Sequence, residues 1–390
     1  MKREFIMAQL EETTQIAPPT MGWFRSLPAH AVFRATSYFA ALDVLRAIAI
    51  VAVVWHHTAA SAFADGLARQ GFAGVTLFFA ISGFLIVTLL LREKSKTGAI
   101  FMRGFMIKRA LRILPLYYAT LLTYVMVVSV LERDDAARSL FFANLPAFAT
   151  FTTNWFVAID APRVIFYFAW SLAAEEQFYL IWPWIERIKL GRPFGDRFGL
   201  IMAAGAVLLS PDFIPAWWSN AGPQPLLFAV FSRLPGAIGL GVVLAHMLHD
   251  PRLFRWLAPV IGRRGSAIVL LAGAIGLLAG HGALGAFDAA MFDLLCMLLV
   301  GAAVIRPDND LAPLIRLPGI VHIGVVSYGL YLLHMLAANV VKMVGAKAGL
   351  SDGVPLFVGT LLLALGLASL SHATFERWFL GLRTRLLPSV

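Results

Sequence analysis

A single cysteine, Cys296, stands in 390 residues, which excludes a disulfide framework and any thiolate-rich metal site. Charge is scarce as well: 14% of residues are Asp, Glu, Lys or Arg, against roughly 25% in soluble domains. There is no repeat of fixed period and no low-complexity tract, which argues against solenoids and against transporter folds assembled from duplicated halves. No apolar stretch of secretory-signal type follows the early Lys2 and Arg3. What the chain has is apolar matter, 59% hydrophobic residues at a mean hydropathy of +0.78. A soluble core could not enclose that much apolar surface, so the solvent for most of the chain is lipid. The remaining charge balance is +10. Its basic residues fall in short clusters between apolar runs, the pattern of membrane topology and not of nucleic-acid binding.

Runs of about 20 apolar residues mark bilayer crossings. They fall near 41–59, 73–91, 113–131, 166–186, 199–218, 226–247, 266–280, 287–305, 320–344 and 354–375, with 141–159 as an interfacial or re-entrant piece. The expected fold is therefore an all-α integral membrane protein, a bundle of about ten transmembrane helices. Lys and Arg positions, which did not enter the choice of spans, test it. With the N-terminus inside, 24 of the 32 basic residues fall on the cytoplasmic side, five on the other, and Arg46, Arg233 and Lys342 within spans. That asymmetry predicts both termini cytoplasmic in a multi-pass membrane protein. Residues 1–40 read as a cytoplasmic leader, partly disordered, 41–376 as the transmembrane domain, and 377–390 as a short cytoplasmic tail.

An ionisable side chain inside a span costs about 2.5–3.5 kcal/mol or more, so each needs a partner, a wet cavity or a function. Arg46 and His57 are eleven positions apart, about 1100° of helix, and so share a face to within roughly 20°. Asp43 is only about 40° off that face, whereas His56 points elsewhere. The spacing selects His57 over its neighbour and draws one polar stripe about 16 Å long from Arg46 inward. Ser82 and Gly83, mid-span, allow a neighbouring helix or a ligand to approach closely. Arg109 and Arg112 are i,i+3 neighbours whose guanidiniums suit phosphate oxygens, unless they serve topology alone. Glu175 and Glu176 are adjacent carboxylates in apolar surroundings and need cationic or hydrogen-bonding partners; Arg233 is a candidate cation.

These motifs together resemble the membrane-bound acyltransferase-3 family, bacterial enzymes that O-acylate polysaccharides, lipid-linked sugars, Nod factors and macrolides. The likeness runs from about Leu42 to Glu376. It rests on LDVLRAIAIVAVVWHH at 42–57, GVTLFFAISGFLI at 74–86, RALRILPLYY at 109–118, WSLAAEEQFYLIWP at 170–183, SRLPGAIGLG at 232–241 and SYGLYLLH at 327–334. The chain departs from the pattern at Val44, where Gly is usual, at the extra His56, and at FERW over 375–378, where FExP is common. Some members carry a further extracytoplasmic hydrolase-like domain, and none is expected after Val390.

The resemblance implies O-acylation, most simply O-acetylation, of a cell-envelope or exopolysaccharide sugar. The donor it implies is cytoplasmic acyl-CoA, used as a substrate, with no bound cofactor and no metal. By the same resemblance His57 is catalytic, and Arg46, Arg109 and Arg112 are required. His57 would serve as general base or carry the acyl group covalently, with Asp43 or Glu175 orienting it. Ser82, Glu176, Tyr179, Arg233 and His334 complete the expected substrate-binding set. Expected partners are acyl-CoA, a saccharide acceptor, free or lipid-linked, and membrane lipids, but not nucleic acid; homo-oligomerisation stays open. The alternatives are the same chemistry on a small-molecule acceptor such as a macrolide, and a transporter or flippase of a lipid-linked saccharide that does no chemistry.

Overall fold

The computed structural model describes residues 29–59, 66–157, 164–189, 197–210, 212–213, 235–280, 282–346 and 352–387. Helices dominate, and no strand occurs among the described residues. The helices of seven residues or more are α1 (Ala29–Ala35), α2 (Ala40–Thr58), α3 (Ala73–Thr97), α4 (Met102–Leu131), α5 (Asp135–Ala149), α6 (Ala169–Arg187), α7 (Phe198–Leu208), α8 (Gly236–His249), α9 (Pro251–Ile261), α10 (Ser266–Ala279), α11 (Asp288–Ile305), α12 (Pro318–Val325), α13 (Ser327–Gly345), α14 (Gly353–Ser371) and α15 (Arg377–Leu386). A single π-helical turn, His372–Glu376, joins the last two.

Five of the described helices are long and apolar enough to cross a membrane, or up to seven if each of two bent pairs is one span. This is fewer than the ten expected from apolar runs, and the reasons are local. The run at 320–344 is broken: α12 and α13 meet at an angle of 79°. The runs at 199–218 and 226–247 appear among the described residues only as α7 and α8, of 11 and 14 residues. At 1.5 Å per residue such helices span about 16–21 Å, short of a hydrocarbon core of about 30 Å. The helix α6 has the length but carries Glu175, Glu176, Glu186 and Arg187.

Glycine sets close helix contacts in the bundle. The helices α3 and α8 cross where Gly83 meets the Ile238 carbonyl and Gly241 meets the backbone of Ala80 and Phe84, with no room for a β-carbon on either. Gly324 at the end of α12 lies as closely against the backbone of Asp43 in α2, which seats the bent α12–α13 pair against α2. Two hydrophobic clusters fill the bundle. One gathers Leu42, Leu45, Phe84, Leu244, Leu248 and Ile305. The other holds Ile50, Val54, Tyr117, Phe148, Phe168 and Leu330. The helix α2 contributes to both.

The segment read as interfacial or re-entrant is α5 followed by a short turn, Thr153–Phe156. Tyr117 and Tyr118 on α4 donate to the Phe148 and Ala149 carbonyls, at 2.7 and 2.9 Å, supplying partners to the unpaired end of α5. Gln177 on α6 accepts from Asn154 and Trp155 and donates to the Phe151 carbonyl. Part of the expected leader belongs to the body: Phe33 of α1 is buried, and Arg92 on α3 donates to the Phe33 and Thr36 carbonyls. The tail is helical through Leu386, and α15 packs along α4.

Candidate active site

Near its end, α2 brings His57 against His334 of α13, with His57 Nδ1 and His334 Nε2 2.8 Å apart and the rings stacked at 4.9 Å between centroids. The other nitrogen of His334, Nδ1, lies 2.6 Å from the Tyr331 carbonyl oxygen. A carbonyl only accepts, so His334 Nδ1 carries the proton and, in the neutral ring, Nε2 accepts. It follows that His57 donates from Nδ1, which leaves the His57 lone pair on Nε2. A chain of two hydrogen bonds thus fixes the tautomer of His57. Around it, the Phe168 ring stands edge-on to the fully buried His334 and Tyr167 edge-on to His57.

The acidic residues expected to orient His57 are elsewhere. Asp43 accepts from Arg46 at 2.6 Å and from the Tyr38 hydroxyl. Glu175 accepts from Ser82 at 2.8 Å and from Tyr179 at 3.2 Å. Asp43 is on nearly the right helix face, but fourteen residues place it about 21 Å along the axis from His57, beyond any contact. The side chain within hydrogen-bonding distance of His57 is His334, and not Asp43 or Glu175.

Two cavities meet near these groups. The first, of about 110 Å³, is lined by Arg46, Arg109, Arg112, Ser82, Glu175, Glu176 and Tyr179, among others. Its cations are held: Arg46 by Asp43, and Arg109 over the rings of Tyr179 and Phe105 at 5.5 and 5.7 Å. The second, of about 470 Å³, contains His57 and His56 together with Tyr167, Trp170 and Asn154. Val75, Phe79 and Tyr331 line both, so a thin shared wall separates a cationic chamber from a histidine chamber. The Tyr331 hydroxyl in that wall donates to the Phe168 carbonyl at 3.0 Å and sits 2.6 Å from Ser171 Oγ. His56 faces the second chamber with its Nδ1 3.1 Å from the Arg69 carbonyl oxygen. Of the expected set, Arg233 lies outside the described residues.

Residues 39–372 match a family model described as an acyltransferase domain. The chain belongs to the acyltransferase-3 family. Its relatives include peptidoglycan O-acetyltransferase OatA of Listeria monocytogenes, 28% identical over 326 residues, which are 76% of this chain and 49% of that protein. A Staphylococcus aureus protein whose name carries a provisional O-acetyltransferase assignment is 27% identical over 338 residues, 79% of this chain and 52% of its own length. YrhL of Bacillus subtilis, provisionally named a peptidoglycan O-acetyltransferase, is 35% identical over 153 residues, 37% of this chain and 23% of YrhL. This chain thus spans about half the length, or less, of these curated relatives. No solved structure matches it. This acyltransferase is a multi-pass membrane protein.

Several residues of this acyltransferase site escaped the reading of the sequence. Tyr331 and Val75 carry no spacing signal that marks them as a chamber wall. His334 was expected among the substrate-binding residues, but its pairing with His57 spans 277 positions, a distance over which helical periodicity says nothing.

Proposed function

We propose that this acyltransferase moves an acetyl group from acetyl-CoA to a hydroxyl of a cell-envelope saccharide, with a cell-wall glycan as the first acceptor to try. The observation that carries this reading is a pair of chambers sharing one wall, cationic on one side and, on the other, holding a histidine whose lone pair is fixed on Nε2. The chemistry then runs as follows. Arg109 and Arg112 hold phosphates of CoA, and the pantetheine arm carries the thioester to the wall formed by Val75, Phe79 and Tyr331. His57 Nε2 removes the proton of the acceptor hydroxyl as its oxygen attacks the thioester carbonyl. The C–O bond forms, the C–S bond breaks, and the proton passes from His57 to the departing CoA thiolate.

In this reading both termini and the cationic chamber face the cytoplasm, as the 24-to-5 division of basic residues supports, and α6, α7 and α8 belong to the further crossings that make ten. The relatives named as peptidoglycan O-acetyltransferases support the acceptor class. The test uses the full chain purified in detergent, supplied with acetyl-CoA and a muropeptide or envelope polysaccharide. Thiol release that requires acceptor, with acetyl found on the glycan, is the expected result. Absence of acceptor-dependent thiol release would return the protein to the transporter reading.

The cationic chamber gives a second prediction. Arg109→Ala and Arg112→Ala should each raise the KM for acetyl-CoA by about tenfold or more, the scale of one lost charge-assisted contact. Lysine at either position should recover only part, because it cannot fork onto two phosphate oxygens. Initial-rate kinetics against acetyl-CoA decide it; an unchanged KM assigns these arginines to topology alone.

A further inference from the structure

The histidine chamber holds a polar feature that the chemistry above leaves unused. Asp293, from α11, lines it together with His57 and is 5% exposed. Its Oδ2 has no hydrogen-bond partner among the described residues. Asp212 also lines the chamber and accepts from the Gly236 N–H at 3.2 Å. Asp293 Oδ2, Ser210 Oγ and Asp212 Oδ2 converge on Gly236, at 2.6, 2.9 and 3.1 Å from where its β-carbon would stand. A side chain there would fill the space that the three oxygens face. A buried carboxylate oxygen is stable only with a donor, and the side chain that carries this one lines the chamber.

Resting on the acetyl-transfer reading, we propose that Asp293, seconded by Asp212, is the acceptor-binding subsite, accepting hydrogen bonds from the non-reacting hydroxyls of a pyranose sugar and so presenting one hydroxyl to His57. The chemistry of the walls fits a sugar. A pyranose has hydroxyls around its rim, which suit carboxylate acceptors, and apolar C–H faces, which suit aromatic rings. Trp170, Tyr167 and Phe72 line the same chamber. Its volume of about 470 Å³ lies within the roughly 300–1,000 Å³ of small-molecule sites. The two chambers differ in their cations: three arginines line the first beside its carboxyls and rings, and, among the described residues, no arginine or lysine lines the second. Asp293 is on this view a positioning residue that never touches the acyl group.

The test measures binding apart from chemistry. An N-acetylglucosamine tetrasaccharide is titrated calorimetrically into the full chain in detergent, and the site of acetylation on the product is mapped by NMR. The unaltered protein should bind the sugar and acetylate one position. Asp293→Asn should weaken sugar binding at least tenfold, leave acetyl-CoA affinity unchanged, and spread any remaining acetylation over more than one hydroxyl. Asp212→Asn should act in the same direction and carries the test if the first variant folds poorly. Sugar binding lost in the variants of a protein that transfers no acetyl would keep the subsite and overturn the chemistry. Undiminished sugar affinity with a single unchanged product, or no sugar binding by the unaltered protein, overturns the subsite.

Discussion

His57→Ala is expected to lower acyl-transfer turnover by about 10²- to 10⁴-fold, the range for removing a positioned general base, while yield and thermal stability in detergent stay close to those of the unaltered chain. The stability part follows from where the ring sits: it borders an open chamber, so truncation enlarges that chamber at the cost of the ring contacts with His334 and Tyr167 and the one hydrogen bond to His334. The catalytic part follows from the fixed tautomer, because only a lone pair on Nε2 can take the hydroxyl proton. His56→Ala is the control: its ring shares the chamber but is tied to the Arg69 carbonyl, and most activity should remain. His334 separates orientation from bulk. His334→Gln offers an amide oxygen that can accept from His57 Nδ1, and should keep more activity than His334→Ala, which offers none. Acceptor-dependent thiol release measures all four variants. Full activity of His57→Ala would remove His57 from the mechanism, and equal activity of the two His334 variants would remove the tautomer argument.

Gly83→Leu is expected to abolish accumulation of folded protein. Even a β-carbon at this position overlaps the Ile238 carbonyl of α8, and α8 presents Gly241 to the same contact from the other side. Neither partner atom is the end of a flexible side chain, so the helices themselves must part. Their crossing is the most extensive helix pair of the bundle, and the chamber walls stand on it: Phe79 and Ser82 lie on α3 and Ala237 on α8. Gly83→Ala should lower stability by about 1–3 kcal/mol or more, the scale of overpacking in a close-packed core. Gly366→Ala in the middle of α14 is the contrast, since nothing lies within 4 Å of its β-position. It should be neutral or stabilising by up to about 1 kcal/mol through helix propensity. Monodispersity on size exclusion and thermal unfolding in detergent compare the three; a stable, active Gly83→Leu would mean that the α3–α8 crossing is not fixed by this glycine.

Much of the cationic chamber was legible before the fold. Ser82 and Gly83 stand out as small residues mid-span, and Gly83 does admit a neighbouring helix, α8, whereas Ser82 donates a hydrogen bond to Glu175 that spacing does not foretell. The i,i+3 spacing of Arg109 and Arg112 puts both on one face of α4, and both line the chamber. Asp43 shows how far such reasoning reaches. Angle on a helix follows from residue number, so Asp43 and Arg46 were correctly placed on one face, and they bond to each other. Height follows from residue number too, and it separates Asp43 from His57. The break between α12 and α13 leaves no mark in the sequence because residues 320–344 are apolar enough to read as one run, and the partner that Gly324 meets at the bend, Asp43 of α2, is remote from it in sequence.

Composition and local spacing by themselves determined that this chain is helical and built for lipid, that His57 and not His56 shares a face with Arg46, and that arginines and acids are concentrated in a few spans. They could do so because a helix converts residue number into angle and rise. Only the tertiary structure decided that His334 holds His57, that the arginines and the histidines occupy two chambers with a common wall, and that Asp293 faces the second of them. Those facts depend on which helices touch and at what depth, and contacts between residues 277 positions apart are set by packing, not by period.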